Sequence, residues 1–384
     1  MNSTSSAGDL PTRSSEARSA APLASSPAAS PEATPERTPL DIGLDVLVSS
    51  EGLEPLEVLP QVHDPRPHRP YFTLRRARLP LVLFLLTSLS IWFAGATRWM
   101  PLQYLDDCLG REQVIWNGVL IPVPTFQLDF MELRQVLYAH WFEGLVYMIC
   151  VQLILFAHEM GHFLYTVYYR IRCTLPFFIP LPIAFTGTMG AVIAMEGNKA
   201  NRRQIFDIGI AGPIAGLCFA VPILWRGVRD LNLDAPAGGG FALDLPLAIR
   251  WLVDQIHPGK LGEINHVWLS QANPYFIAGW FGLIMTALNM MPVSQLDGGH
   301  ITYTLWGKGA HWVARAFMVF VFAYIVFASQ PAGALMAVLV MLIGTDHPPT
   351  SDDKVPIGWF RCLLGHASLI IPIICFTPKL LVIE

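Results

Sequence analysis

Charge is what this chain has little of. Acidic and basic residues make up 14% of its 384 residues, where an ordinary soluble domain carries about 25%. The shortage is concentrated after residue 78, and 53% of all residues are apolar, with a mean hydropathy of +0.45. A basic stripe is also missing, which removes nucleic acid as a partner. The formal net charge of -4 points to no other partner class. The six cysteines, Cys108, Cys150, Cys173, Cys218, Cys362 and Cys375, include no CxxC pair. That leaves neither a disulfide framework nor a cysteine zinc site, and thiols inside apolar runs act as small hydrophobes. There is no internal repeat of the kind many transporters show.

Residues 1–70 lack hydrophobic periodicity as well. "SSEARSAAPLASSPAASPEATPERTP" buries too little apolar surface to offset its ordering entropy, and the sequence predicts a disordered Ser/Ala/Pro-rich tail. No secretory h-region is present, and Asp9, Glu16, Glu32 and Glu36 argue against a plastid transit peptide. From residue 71 to 384 the composition is that of a polytopic membrane domain. Expected spans are Leu79–Ala96, Gly144–Tyr169, Ile205–Trp225, Pro274–Met291, Trp312–Ala328, Ala332–Gly344 and Ile357–Phe376. The expected fold is therefore an all-α, multi-pass bundle of about six or seven spans in a lipid bilayer. Arg75, Arg76, Arg78, Arg170, Arg172, Lys199, Arg202 and Arg203 all fall on one side if the spans alternate. The positive-inside rule puts that side, and the N-terminus, in the cytosol. Between the second and third spans, "LPFFIPLPIAFTGTMGAVIAM" is apolar but broken by prolines and glycines. It reads as a re-entrant or interfacial segment ending in a short β element.

The second span carries "HEMGH". In a helix His158 and His162 share a face and can reach one ion, with Glu159 placed to take a proton from a water on it. Ionisable groups within a span are functional candidates by default. His162 lies ~12 Å of helix before Arg170, which sets the site inside the bilayer towards the cytosolic face. Catalytic zinc takes three protein ligands and a water. Asp297, in "TALNMMPVSQLDGGH", follows a predicted helix break at Pro292 and precedes a turn at Gly298 and Gly299. On spacing alone it is either the third ligand or an ordinary helix-end aspartate.

At these residues the sequence resembles the site-2 protease family of intramembrane zinc metalloproteases. Two motifs carry the resemblance: HExxH at 158–162, and NxxPxxxxDG as Asn289, Pro292, Asp297 and Gly298. It covers about residues 144–300. It implies one zinc ion per chain held by His158, His162 and Asp297, with Glu159 as catalytic base. It also implies a role for Asn289 in holding substrate or the broken helix. "GTMGAV", 187–192, matches the family's re-entrant β element, so Gly187, Thr188 and Gly190 become substrate-binding candidates through strand addition; the other reading is a loop lining the site. "FDIGIAGPIAG" resembles the third span, where Gly209, Gly212 and Gly216 permit close helix approach and Asp207 reads as a cap beside Arg202 and Arg203. His300 and His347 do not read as ligands. The 226–273 loop is too short for the PDZ domain many members carry.

The expected function is hydrolysis of membrane-protein or peptide substrates within or near their spans. The alternatives are a non-proteolytic metal-holding scaffold or pseudoprotease, against which Glu159 argues, and a transporter. The sequence assigns no oligomeric state.

Overall fold

The computed structural model describes residues 74–384 apart from 109–110, 117–118, 125–128, 262–264, 294, 329–346, 378 and 383–384. The N-terminal tail and the span expected at Ala332–Gly344 lie outside the described residues.

Apolar runs become helices because hydrocarbon offers the backbone no other hydrogen-bond partner. Three of them, α1 (Leu74–Ala96), α3 (Met131–Tyr168) and α4 (Arg202–Arg229), are long and apolar enough to cross a membrane. Between the first two lies the short α2 (Pro101–Asp107). α3 starts 13 residues before the span expected from the sequence and kinks at His140 (φ -117°). Among the described residues the other expected spans are shorter. They are α6 (Pro274–Asn289), α8 (Gly309–Ala328), and a last segment split into α9 (Trp359–Ser368) and α10 (Ile371–Cys375). Pro372, in the first turn of α10, has no amide to continue the preceding helix.

Helices α1, α3, α4 and α6 pack in series, with α3 also touching α6. α6 is buried on every face, its Phe276, Ile277 and Trp280 no more than 1% exposed. Small residues bring the backbones together. A Cβ on Gly161 would lie 2.5 Å from the Ala211 carbonyl oxygen across α3–α4, and one on Gly279 would lie 2.6 Å from Leu224 Cα across α4–α6.

The β content exceeds the single element expected. β1 (Arg111–Trp116) and β2 (Val119–Pro124) form one antiparallel hairpin, and β3 (Phe177–Pro180) and β4 (Thr188–Val192) form another. In the latter Phe178 faces Ala191 and Ile179 faces Gly190. A third sheet, in the order β6-β5-β7, joins β5 (Ala242–Asp244) to β6 (His266–Trp268) and β7 (Leu381–Val382). α5 (Leu247–Ile256) lies between its first two strands in sequence. The β3–β4 hairpin is pinned to the helices at its turn. Ser90 Oγ donates to the Gly187 carbonyl at 2.6 Å, Tyr147 Oη donates to the Thr186 carbonyl at 3.2 Å, and Phe84 meets Phe178 edge-on.

Candidate metal centre

Helical spacing sets His158 and His162 on the same face of α3, their ring centroids 5.0 Å apart. The third group arrives after a break. α6 ends at Asn289, the chain turns through buried Met290 and Val293, and α7 (Asp297–Trp306) starts at the aspartate. A carboxylate is favoured in a first helical turn by the dipole. Gly298 and Gly299, expected as a flexible turn, are instead helical and buried; a Cβ on Gly298 would collide with the Met290 carbonyl. Asp297 Oδ2 lies 3.2 Å from His158 Nε2, and Oδ1 lies 3.3 Å from His162 Nε2. One ligand atom from each of the three residues falls within 4.8 Å of the others.

The protonation chemistry of this set calls for a cation. Ile208 offers a carbonyl, which can only accept, 2.8 Å from His162 Nδ1, so that nitrogen carries the proton and donates. In the neutral ring Nε2 is then a lone pair, and it faces another acceptor, Asp297 Oδ1. Two acceptors approach to 3.3 Å when a positive charge lies between them, either a second proton on the ring or a metal ion. Two imidazole nitrogens and a carboxylate oxygen are ligands that zinc accepts. The residues present therefore fit a metal ion, and they could hold one.

Space for the rings comes from one stripe of α4. Gly212 lies against His162, where a Cβ would collide with the imidazole. A Cβ on Gly216 would come 3.1 Å from His158 Nδ1, and one on Gly209 would come 3.1 Å from His300 Cβ. The three glycines expected to permit close helix approach also make room for three histidines, and at Gly212 the α3 backbone comes close as well.

A cavity of about 150 Å³ opens beside His158, His162 and Asp297, with Glu159, Ala191, Val192, Asn289 and His300 among its walls. Glu159 is 5% exposed. Asn289 Nδ2 donates to His158 Nε2 at 3.1 Å, which puts this residue at the metal centre itself. Gly187 and Thr188 are tied into the hairpin. The Gly187 carbonyl accepts from Ser90, and Thr188 Oγ1 donates to the Ile179 carbonyl at 2.8 Å while accepting from the Gly190 amide at 3.0 Å. On that side the cavity meets Ala191 and Val192.

Several participants are not apparent from the motifs. The Ile208 carbonyl has no side-chain signature. His347 comes back to the site, its Nε2 2.6 Å from His300 Nδ1 and its ring stacked on Tyr303 with centroids 4.3 Å apart. Asp207 does not cap α4; Asn201 does, with Gln204 completing a capping box. Asp207 pairs instead with Arg361. A sequence signal for that pair exists, because a lone acid in one apolar run and a lone base in another are each costly unless they meet.

Residues 146–329 match the profile of peptidase family M50. The chain is 35% identical over 158 residues to a probable zinc metalloprotease, EGY1, chloroplastic, of Oryza sativa subsp. japonica. The aligned region is 40% of this chain and 26% of that relative. It is 29% identical over 230 residues to the EGY1 protein of Arabidopsis thaliana, likewise named a probable zinc metalloprotease, covering 59% of this chain and 41% of the relative. A probable zinc metalloprotease EGY2 of the same plant is 28% identical over 170 residues, 43% of this chain and 29% of the relative. The chain thus spans well under half the length of these curated relatives.

Proposed function

We propose, from the match of residues 146–329 to peptidase family M50, that this chain is a zinc metalloprotease cutting membrane proteins in or near their transmembrane segments. The observation that carries the proposal is the approach of His158 and His162 Nε2 to the two oxygens of one aspartate, beside a cavity that Glu159 also lines. His158, His162 and Asp297 would hold one zinc ion per chain. Zinc, when bound, supplies Lewis-acid polarisation of a carbonyl and acidifies a water molecule.

The remaining work belongs to the side chains. The Glu159 carboxylate takes the proton of the attacking water and returns it to the amine nitrogen that leaves, the general-base and general-acid halves of one cycle. Ile208 fixes the His162 tautomer and ring plane through the bond at Nδ1. Asp297 supplies the negative charge that offsets the metal. Ala191 and Val192 present the β4 backbone to the cavity, and among the described residues β4 is paired only to β3. An extended substrate fits that free edge by main-chain hydrogen bonds, with little demand on its sequence. A helical substrate must unwind first, so spans bearing Gly, Pro or Asn are the expected targets. Substrates that stay helical through the scissile bond yet are cut as fast would sink that part of the reading.

The same elements support a reading of the membrane setting. α6 and α7 together make one broken crossing through the bundle, and α8 with the α9–α10 pair adds further crossings to the three long helices. On this reading the chain has six or seven spans, with the basic ends and the N-terminus cytosolic. The β3–β4 hairpin then re-enters the membrane from that side.

The test compares wild type with Glu159→Gln in detergent against a panel of single-span fusions, with bound zinc measured in both. Cleavage by wild type and a loss of about 10²–10⁴-fold in the variant, at equal zinc, is expected. Equal cleavage by the variant would remove Glu159 from the chemistry. Zinc in both with no cleavage by either would favour a metal-holding scaffold.

A further inference from the structure

Arg361, in the first turn of α9, makes a bidentate pair with Asp207 on α4. Its Nε donates to Oδ1 at 2.7 Å and its Nη2 donates to Oδ2 at 2.9 Å. Tyr169, the C-cap that follows α3, donates its hydroxyl to the same Oδ2 at 2.5 Å. Three separate segments therefore meet on one carboxylate, whose side chain is only 11% exposed. Arg361 lies outside residues 146–329, the part of the chain that matches the peptidase profile.

This junction bears on the metal centre through the register of α3 against α4. Tyr169 follows His162 on α3 by about two helical turns. Asp207 immediately precedes Ile208, whose carbonyl takes the His162 Nδ1 proton. The two helices are thus joined twice, once through the ligand and once through the tyrosine. Elsewhere along the crossing the backbones touch at Gly161, Ala211 and Gly212, and the side chains seated on the α4 glycines include the His158 and His162 rings themselves. A slide at this glycine stripe therefore displaces the two imidazoles directly. The Ile208 carbonyl belongs to a rigid helix and cannot follow the imidazole by itself. A slip of about 1 Å between the helices would break the 2.8 Å bond at Nδ1 and re-aim Nε2 away from Asp297.

We propose that Tyr169, Asp207 and Arg361 form a register clamp that orients His162 for metal binding, with Arg361 as a positioning residue supplied from the C-terminal segment. The inference rests on the reading of His158, His162 and Asp297 as a zinc site. The clamp need not touch the metal to act on it, since groups that orient a ligating histidine typically govern affinity by 10–100-fold. A bidentate guanidinium is required here rather than any positive charge, because the planar fork fixes direction as well as distance.

The test uses the full chain in detergent, with zinc affinity measured by competition against a chromogenic chelator and folding followed by far-ultraviolet circular dichroism. Arg361→Ala and Asp207→Asn should weaken zinc by about 10-fold or more. Arg361→Lys and Tyr169→Phe, each leaving part of the clamp, should weaken it less. The charge exchange Asp207→Arg with Arg361→Asp should recover part of the loss, which a general destabilisation would not. Should Arg361→Ala fail to fold, Arg361→Lys and Tyr169→Phe decide the matter. Folded variants that bind zinc as wild type does would overturn the clamp and leave the metal site standing. A wild type that binds no zinc would overturn both.

Discussion

Gly212 on α4 lies against the His162 imidazole so closely that any Cβ at that position would collide with Nε2, the nitrogen that faces Asp297. The absence of one methyl group therefore keeps the Nε2 edge of this ring clear. Gly212→Ala should push the ring off its bond to Ile208 and weaken zinc by about 10–100-fold, the usual cost of losing a group that orients a ligating histidine. Gly238→Ala is the matched control, since a Cβ there meets nothing within 4 Å. Equal zinc affinity in the two variants would mean that the site adapts to the added carbon.

The two oxygens of Asp297 divide between the two histidines, Oδ2 towards His158 and Oδ1 towards His162. Asp297→Asn keeps the shape but replaces one oxygen with an NH₂ group and removes the charge. Zinc should dissociate at least 10-fold faster from this variant, and cleavage should fall in parallel. Stripping wild type with a chelator should give the same inactive state, reversible on adding zinc back. Full activity in stripped protein would exclude a metal mechanism.

Much of this centre is legible in the sequence, and the part that is not has a physical cause. His158, Glu159 and His162 announce themselves because their spacing matches the helical period within an apolar run. Asp297 is less legible: Pro292 signals a break after α6, but spacing alone leaves the aspartate as a ligand or an ordinary helix-end acid, and only the family resemblance separates the two. The Ile208 carbonyl and Arg361 leave no such trace. The first is backbone, common to every residue, and the second reaches Asp207 across 154 positions of chain. In the fold, long apolar runs mark α1, α3 and α4. The strands at 242–244, 266–268 and 381–382 are two or three residues long, too short for an alternating pattern to register. The segment 357–376 reads as one span by composition, while Pro372 divides it.

Acid should loosen the segment that follows residue 346. Its Asp353 accepts from Thr350 Oγ1 at 2.6 Å and from Tyr303 Oη at 2.9 Å. Nearby, Ser351 donates its amide to Ala200, and Asp352 accepts from the Arg202 amide. Burial pulls the Asp353 carboxyl upward, but those hydroxyls and the Arg202 charge hold it below the ordinary carboxylate value. A lowered folded value means that the contribution is present above the unfolded value near 4 and is lost as pH falls through the folded one. Solvent screening keeps it below about 1 kcal/mol, a Tm difference of ~1–2 °C. Asp353→Asn should melt below wild type by that amount at pH 7, with the gap closing towards pH 2. A gap that persists at pH 2 would assign the effect to packing rather than to the charge.

Asn289 presents a different case, because its partner is a nitrogen with a single lone pair. Its Nδ2 donates to His158 Nε2 at 3.1 Å, the same atom that approaches Asp297. Coordination of a metal by Nε2 uses that lone pair and leaves the amide donor without its acceptor. The donor is then available, on the wall of the cavity, to the carbonyl of a bound peptide. Asn289→Ala should therefore leave zinc affinity near the wild-type value and reduce kcat by about 10²-fold, the range found when one donor to a developing oxyanion is lost. Asn289→Asp should be worse, since a carboxylate would repel the same oxygen. If Asn289→Ala instead weakens zinc and restores normal turnover once zinc is saturating, the amide serves to hold His158, and the carbonyl of the substrate must find its donor elsewhere.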